Sequence, residues 1–211
     1  RTLGAQAAGR PVEATEPGGW GSWVDGGSRL EIGGVRVDRI YRDLGRVRAC
    51  WARAREGRFE DGFRTGHPLG FRSTCYVGEL ALGRILADPS GEMAGLRAEI
   101  TAGHPAALRA AVLASARFVV PFLLANAAEA PHDTAYLHGC LFRVAGVLAQ
   151  ALHTRAGQWL INEKGAVDAA GRLPGAPRDF ARRAHGLFRA GAATALAEAA
   201  RPADEVLRPA T

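Results

Sequence analysis

Two short runs of alternating apolar and polar residues lie near the front of the chain. The runs cover residues 30–32 and 35–41 and are joined by two glycines, an arrangement typical of a tight β-hairpin. In the second predicted strand Val35 and Val37 share one face, so Asp38 projects from the other. The pattern therefore predicts that Val35 and Val37 bury one face of the strand and that the Asp38 carboxylate lies on the opposite face.

Most of the remaining chain repeats apolar residues at helical spacing, three or four positions apart. The spacing predicts helices over residues 43–57, 76–85, 105–130, 132–154 and 177–200. The last three are long enough to pack as a bundle. Gly- and Pro-rich stretches over residues 1–27 and 62–70 are predicted as loops and turns.

These elements predict an α+β protein in two parts. Residues 1–90 carry a partial mixed sheet with helices, and residues 91–205 form an all-α helical bundle. The only methionine is Met93, and the chain begins with Arg1. We therefore expect a truncated front, with part of the sheet missing.

Composition excludes some classes of protein. The 211 residues are 47% hydrophobic and 23% charged, which excludes a disordered chain. The net charge of +6 and the pI near 10 raise the possibility of nucleic-acid binding. However, Lys164 is the single lysine, and the arginines are scattered through the predicted helices. A basic nucleic-acid-binding module is therefore the weakest hypothesis for this chain, weaker than the two that follow from the motifs described below. No specific nucleic-acid partner is expected.

The cysteines and the longest apolar run bear on location. Three widely spaced cysteines without a CxxC pair argue against a disulfide framework or a zinc site and indicate a reducing compartment. The longest strongly apolar run, residues 118–128, is interrupted by a proline and is shorter than the roughly 20 residues that cross a bilayer. We expect a cytoplasmic protein with no membrane partner.

Several common enzyme signatures are absent from the sequence. It contains no phosphate-binding Gly-rich loop ending in Gly-Lys-Ser/Thr, no dinucleotide fingerprint, no HExxH pair and no Gly-x-Ser-x-Gly elbow. The remaining candidates for chemistry are Asp38, Glu79, Asp133 with Tyr136, and Lys164.

The order of several short motifs resembles the nucleotidyltransferase superfamily. The motifs are Gly-Gly-Trp-Gly-x-Trp at 18–23, Val-Arg-Val-Asp-Arg-Ile-Tyr-Arg-Asp-Leu at 35–44, Tyr-Val-Gly-Glu-Leu at 76–80 and Asn-Glu-Lys-Gly at 162–165. Within that superfamily, the chain is similar to bacterial proteins related to the aminoglycoside adenylyltransferases. The resemblance implies a partial nucleotidyltransferase-type sheet followed by a helical substrate-binding domain. It also implies Mg²⁺-dependent transfer of a nucleoside monophosphate from ATP or another nucleoside triphosphate to a hydroxyl of a small-molecule acceptor.

The resemblance assigns a metal-binding role to Asp38. Relatives hold Mg²⁺ with two carboxylates from an Asp-x-Asp strand and a third from a later strand, because the metal bridges phosphates through hard oxygen ligands. Asp38 matches the third of these, although Arg39 follows it. No Asp-x-Asp strand after a Gly-Ser turn precedes Asp38 in this chain. Either a missing front contains it, or the chain is a non-catalytic relative that binds a nucleotide or a protein partner.

Two further residues match the chemistry of the relatives. Glu79 resembles a carboxylate that acts as general base on the acceptor hydroxyl; the alternative is a helix glutamate paired with Arg84 or Arg72. Lys164 resembles a lysine directed at the phosphates of the nucleotide; the alternative is an ordinary surface lysine.

The remaining candidates have structural alternatives as well. Arg42 is expected to touch the triphosphate, unless it pairs with Asp43 or Glu31. Asp133 and Tyr136 open the helix that would line the acceptor cleft, where an acidic residue suits a cationic acceptor. The stronger alternative for Asp133 is a helix cap or a partner of the helix dipole.

Overall fold

The computed structural model describes residues 2–64 and 66–208 and is a helix-rich α+β structure with two small antiparallel sheets. Its strands are β1 (Gly27–Ile32), β2 (Val35–Ile40), β3 (Asp61–Arg64) and β4 (His67–Arg72). The helices of this described part are α1 (Thr2–Ala8), α2 (Leu44–Arg55), α3 (Thr74–Leu82), α4 (Glu92–Thr101), α5 (Ala106–Glu129), α6 (Thr134–Arg155), α7 (Ala166–Gly171), α8 (Phe180–Gly186) and α9 (Ala192–Leu207).

The chain divides into two compact units, residues 1–49 and residues 50–211. This division falls within α2, not near residue 90. The prediction that residues 1–90 are a partial catalytic domain and residues 91–205 a substrate-binding bundle is a statement about function. It stays a prediction.

In the first unit, the predicted hairpin is confirmed. β1 and β2 pair antiparallel, with Leu30 opposite Val37 and Arg29 opposite Asp38. The turn residues Gly33 and Gly34 have φ angles of 57° and 79°, and a two-residue hairpin turn with both φ values positive strongly favours glycine. The expectation of loops alone over residues 1–27 is wrong, because α1 forms there.

Asp43 begins α2 as the sequence predicts. Its side-chain oxygen accepts a hydrogen bond from the backbone N–H of Arg46 at 2.6 Å, which satisfies one of the unpaired donors at a helix start. The helix continues into the second unit, where Trp51 and Ala54 are buried. The edge of the Trp51 ring meets Trp159, with the ring centroids 6.4 Å apart.

The second unit contains a hairpin that the sequence analysis did not predict. Strands β3 and β4 pair antiparallel, with Gly62 opposite Phe71 and an irregularity in register after Gly62. Phe71 is buried and packs against the ring of Tyr76 on α3, with centroids 5.2 Å apart. The stretch predicted as a Gly-rich connection is therefore largely sheet.

A helical bundle forms most of the second unit, and its two longest helices are confirmed. The main core cluster is built from apolar residues of α5, α6, α7, α8 and α9, among them Val120, Val144, Leu148 and Phe180. The predicted single helix over 177–200 is wrong, because residues 187–191 separate α8 from α9.

Two helices of the described chain, α5 and α6, are long and apolar enough to cross a membrane by length and composition. Core helices of soluble proteins meet the same criteria, and 56% of the apolar window of α6 is buried inside the bundle, against 22% for α5. The finding is weak evidence for a membrane span, and the expected cytoplasmic location stays a prediction.

Candidate functional site

A cavity of about 390 Å³ opens in the second unit. The tip of the β3–β4 hairpin, α6, the turn over residues 162–165 with the α7 that follows it, and the end of α8 surround it. Its apolar lining includes Leu69, Phe142, Phe188, Ala145 and Val167. The polar side chains at its wall are His67, Glu163, Lys164, Asp168 and His185, together with Asn162. Its volume and mixed lining are typical of small-molecule pockets.

Glu163 fastens the hairpin tip to the turn before α7. Its Oε1 accepts a hydrogen bond from the backbone N–H of Leu69 at 3.1 Å. The same oxygen lies 3.9 Å from Nδ1 of His67. The Glu163 side chain is partly buried, and a carboxylate removed from water is stabilised by hydrogen bonds of this kind.

A second contact holds the hairpin against α6. A Cβ placed on Gly146 would lie 2.3 Å from Cδ1 of Leu69, so the leucine packs directly on the helix backbone and leaves no room for a larger residue. Leu69 and Gly146 also line a smaller neighbouring cavity of about 100 Å³. Leu69 therefore belongs to the wall between two cavities.

Lys164 carries an accessible cation at the larger of these two cavities. Its backbone N–H donates to Oδ1 of Asn162 at 3.0 Å, an Asx-type contact that shapes the turn. The side chain is exposed, and within residues 2–64 and 66–208 its ammonium forms no ion pair. An ammonium in this position is available to bind an anionic group.

Another part of the cavity wall combines an aromatic ring with a polar pair. Nε2 of His185 lies 3.2 Å from Oδ1 of Asp168. The ring of Phe188 meets His138, with centroids 6.0 Å apart. Asp168 therefore already has a polar partner in the protein.

Asp38, the predicted metal ligand, lies in the first unit. It is exposed on β2, on the face opposite Val35 and Val37 as predicted, and its cross-strand partner is Arg29. The expected burial of the valine face is wrong, because Val35 and Val37 are themselves exposed. Over the described ranges, no group of three or more His, Cys, Asp or Glu side chains is arranged to hold a metal ion. Mg²⁺ requires several oxygen ligands, so a lone carboxylate opposite an arginine does not by itself fit the ion.

Arg42, the predicted phosphate contact in the first unit, supports the local backbone. Its Nη1 donates to the carbonyl oxygens of Tyr41 at 3.2 Å and of Val24 at 3.4 Å. These bonds give the guanidinium a structural role beside the end of β2. Its contact with a triphosphate stays a prediction.

Asp133 is the N-cap of α6. Its Oδ1 accepts a hydrogen bond from the backbone N–H of Tyr136 at 3.0 Å, which confirms the capping alternative. The side chain of Tyr136 is exposed. Neither residue belongs to the lining of the cavity, and their contact with an acceptor stays a prediction.

Glu79 is half-buried on α3, close enough to Cys75 to affect its thiol electrostatically. Burial is the main cause that raises the pKa of the Cys75 thiol to about 12. Glu79 does not line the cavity either. Its role as a general base stays a prediction.

The structure adds residues that the sequence analysis did not select, above all Leu69, Gly146 and Glu163. The composition of His-Pro-Leu-Gly at 67–70 predicts the end of a loop, and Glu163 stands in the sequence only as the residue before Lys164. The hydrogen bond between Leu69 and Glu163 spans 94 positions, a separation that no local pattern reveals.

Comparison with known proteins assigns no family to this arrangement. Against protein-family models, curated proteins and solved structures, the chain has no significant match.

Proposed function

We propose that this protein binds a nucleoside triphosphate at the larger cavity and transfers its nucleoside monophosphate to a hydroxyl of a small-molecule acceptor. The observation that carries the proposal is the exposed Lys164 ammonium at the wall of a cavity of ligand size. A lysine binds phosphate as a compact point charge. Stabilisation of phosphate charge supplies much of the catalysis in phosphoryl transfer.

A nucleotidyltransferase-type fold and a cytoplasmic location belong to the same proposal. An α+β structure with a small hairpin and a helical bundle is compatible with a nucleotidyltransferase-type fold. Three free, buried cysteines are compatible with a reducing compartment. As a transferase, the protein would need further carboxylates beside Asp38 to hold Mg²⁺, and Glu79 would accept the proton of the acceptor hydroxyl.

A non-catalytic nucleotide-binding protein is the second candidate function. It is favoured by the position of Asp38, which faces Arg29 and joins no metal-binding group within the described part of the chain. Such a protein would use the same Lys164 contact without turnover.

Nucleotide titration tests the shared part of both candidates. We expect ATP, or another nucleoside triphosphate, to bind the wild-type protein in isothermal titration, and Lys164→Ala to weaken binding at least tenfold, because one phosphate contact is lost. The control is Arg84→Ala, which removes an exposed cation that does not line the cavity. Equal affinity of the two variants for the nucleotide would show that Lys164 does not contribute to its binding.

Pyrophosphate release separates the two candidates. The protein is incubated with Mg²⁺, the bound triphosphate and a panel of hydroxylated small molecules. The transferase is supported if the wild-type protein releases pyrophosphate and the Asp38→Asn variant does not, while the melting curve of the variant is unchanged. The non-catalytic candidate is supported if the nucleoside triphosphate binds but no pyrophosphate is released with any acceptor.

A further inference from the structure

The larger cavity has a distribution of charge and aromatic surface that distinguishes the parts of a nucleotide. Resting on the proposed function, we infer that the cavity takes the uncharged nucleoside, with its base against Phe142 and Phe188, while the triphosphate extends outward to Lys164. This assigns a base-binding role to two aromatic residues that no sequence motif marks.

The aromatic side chains are the first support for this inference. Phe142 on α6 is 36% exposed and Phe188 after α8 is 39% exposed, and both line the cavity. A large apolar ring left open at a cavity provides a stacking surface for a planar base. The cavity volume of about 390 Å³ lies in the range of small-molecule pockets.

The charges at the wall are the second support. Glu163 and Asp168 are carboxylates at the cavity, and each already has a partner, the Leu69 N–H and His185 respectively. Two carboxylates repel a triphosphate that lies beside them. Their remaining lone pairs can accept hydrogen bonds from the hydroxyls of a ribose or from an exocyclic amine. The neutral nucleoside therefore suits the interior, and the phosphates suit the exposed Lys164.

The hairpin contact is the third support, because it fixes one wall. Leu69 is held by Glu163 through its backbone and by Gly146 through its side chain. A wall fixed by two independent contacts keeps its shape before a ligand arrives, which reduces the entropy lost on binding.

Two probes separate base recognition from phosphate recognition. ATP carries both parts, and inorganic tripolyphosphate carries only the charge. We expect Phe142→Ala and Phe188→Ala each to weaken ATP binding about 5- to 150-fold, the range for loss of a stacked base, and to leave tripolyphosphate affinity unchanged. Lys164→Ala is expected to weaken both ligands.

A matched control and a conservative variant complete the experiment. Phe118→Ala removes a 75% exposed phenylalanine of α5 that does not line the cavity, and should change neither affinity. Phe188→Tyr keeps the ring and should keep ATP affinity within about threefold of wild type.

The inference is overturned if both alanine variants bind ATP as the wild type does. It is also overturned if they lose ATP and tripolyphosphate equally, which would indicate damage to the whole site. Wild-type protein that binds tripolyphosphate and ATP equally tightly contradicts base recognition but preserves the phosphate role of Lys164. Wild-type protein that binds neither ligand overturns the proposed function and this inference together.

Discussion

The two β-hairpins of this protein have similar lengths but different surroundings. In β1–β2 the apolar side chains of Ile32, Val35 and Val37 are exposed on one face. In β3–β4, Phe71 is buried and Leu69 packs against the backbone of α6 at Gly146. A lone two-stranded hairpin is marginally stable in water. The comparison shows that local turn chemistry specifies the first hairpin, whereas contacts distant in sequence hold the second in place.

The largest effect should appear in the reactivity of Cys75, which is buried in the first turn of α3, just beyond β4. Burial is the main cause that raises the pKa of its thiol from 9.0 to about 12. At pH 8 the thiolate fraction should be roughly 1000-fold lower than in the unfolded chain, and alkylation should slow accordingly. Iodoacetamide labelling with peptide mass spectrometry measures the rate in native protein and in urea.

The same pKa shift has a consequence for stability. A raised pKa means that the folded state holds this proton more tightly, so its contribution is complete below pH 9 and is lost as the pH rises toward 12. Equal labelling rates in native and unfolded protein would contradict the burial of the Cys75 thiol at the start of α3.

Replacement of Phe71 should destabilise the anchored hairpin strongly. Phe71 is 3% exposed, so Phe71→Ala is expected to lower the free energy of unfolding by about 3–5 kcal/mol. Its matched control is Phe63→Ala in the same hairpin, where the ring is 86% exposed and the expected change is within about 0.5 kcal/mol. Urea denaturation gives both free energies of unfolding. A loss for Phe71→Ala as small as that for Phe63→Ala would show that Phe71 does not anchor the hairpin.

The Gly146 contact should give a smaller effect that can be reversed. Gly146→Ala places a methyl group against Leu69 and should cost about 1–3 kcal/mol of folding free energy. Adding Leu69→Ala removes the clash, so the double variant should be more stable than the sum of the two single changes predicts. Strict additivity in a double-mutant cycle would contradict direct packing at this position.

The open hairpin should tolerate a change on its apolar face. Val35 is 63% exposed, so Val35→Ala is expected to change the free energy of unfolding by no more than about 0.5 kcal/mol. A loss above about 2 kcal/mol in urea denaturation would mean that this face is covered in the protein in solution, and the contrast between the hairpins would fail.

Sequence patterns predicted the elements whose signals are local. The alternation around Gly33 and Gly34 identified the first hairpin and the face that carries Asp38. Helical spacing identified α5 and α6, and Asp133 was recognised as a cap. In each case the deciding residues lie within a few positions of one another.

The remaining features depend on contacts that no short window contains. Gly62 and Pro68 interrupt the alternation of β3–β4, and its packing partners, Gly146 and Glu163, lie far along the chain. The cavity at Lys164 has walls from several separate segments. A short motif around Lys164 carries the resemblance that points to this lysine, whereas no motif marks Phe142 and Phe188, which line the same cavity.

Titration of ATP into the wild-type and Lys164→Ala proteins tests the central claim most directly, because that claim concerns one cation at one cavity. The account predicts measurable binding to the wild type and at least a tenfold loss in the variant, with Arg84→Ala unchanged. Absence of binding to the wild type by any nucleoside triphosphate, or equal affinity in both proteins, would contradict it.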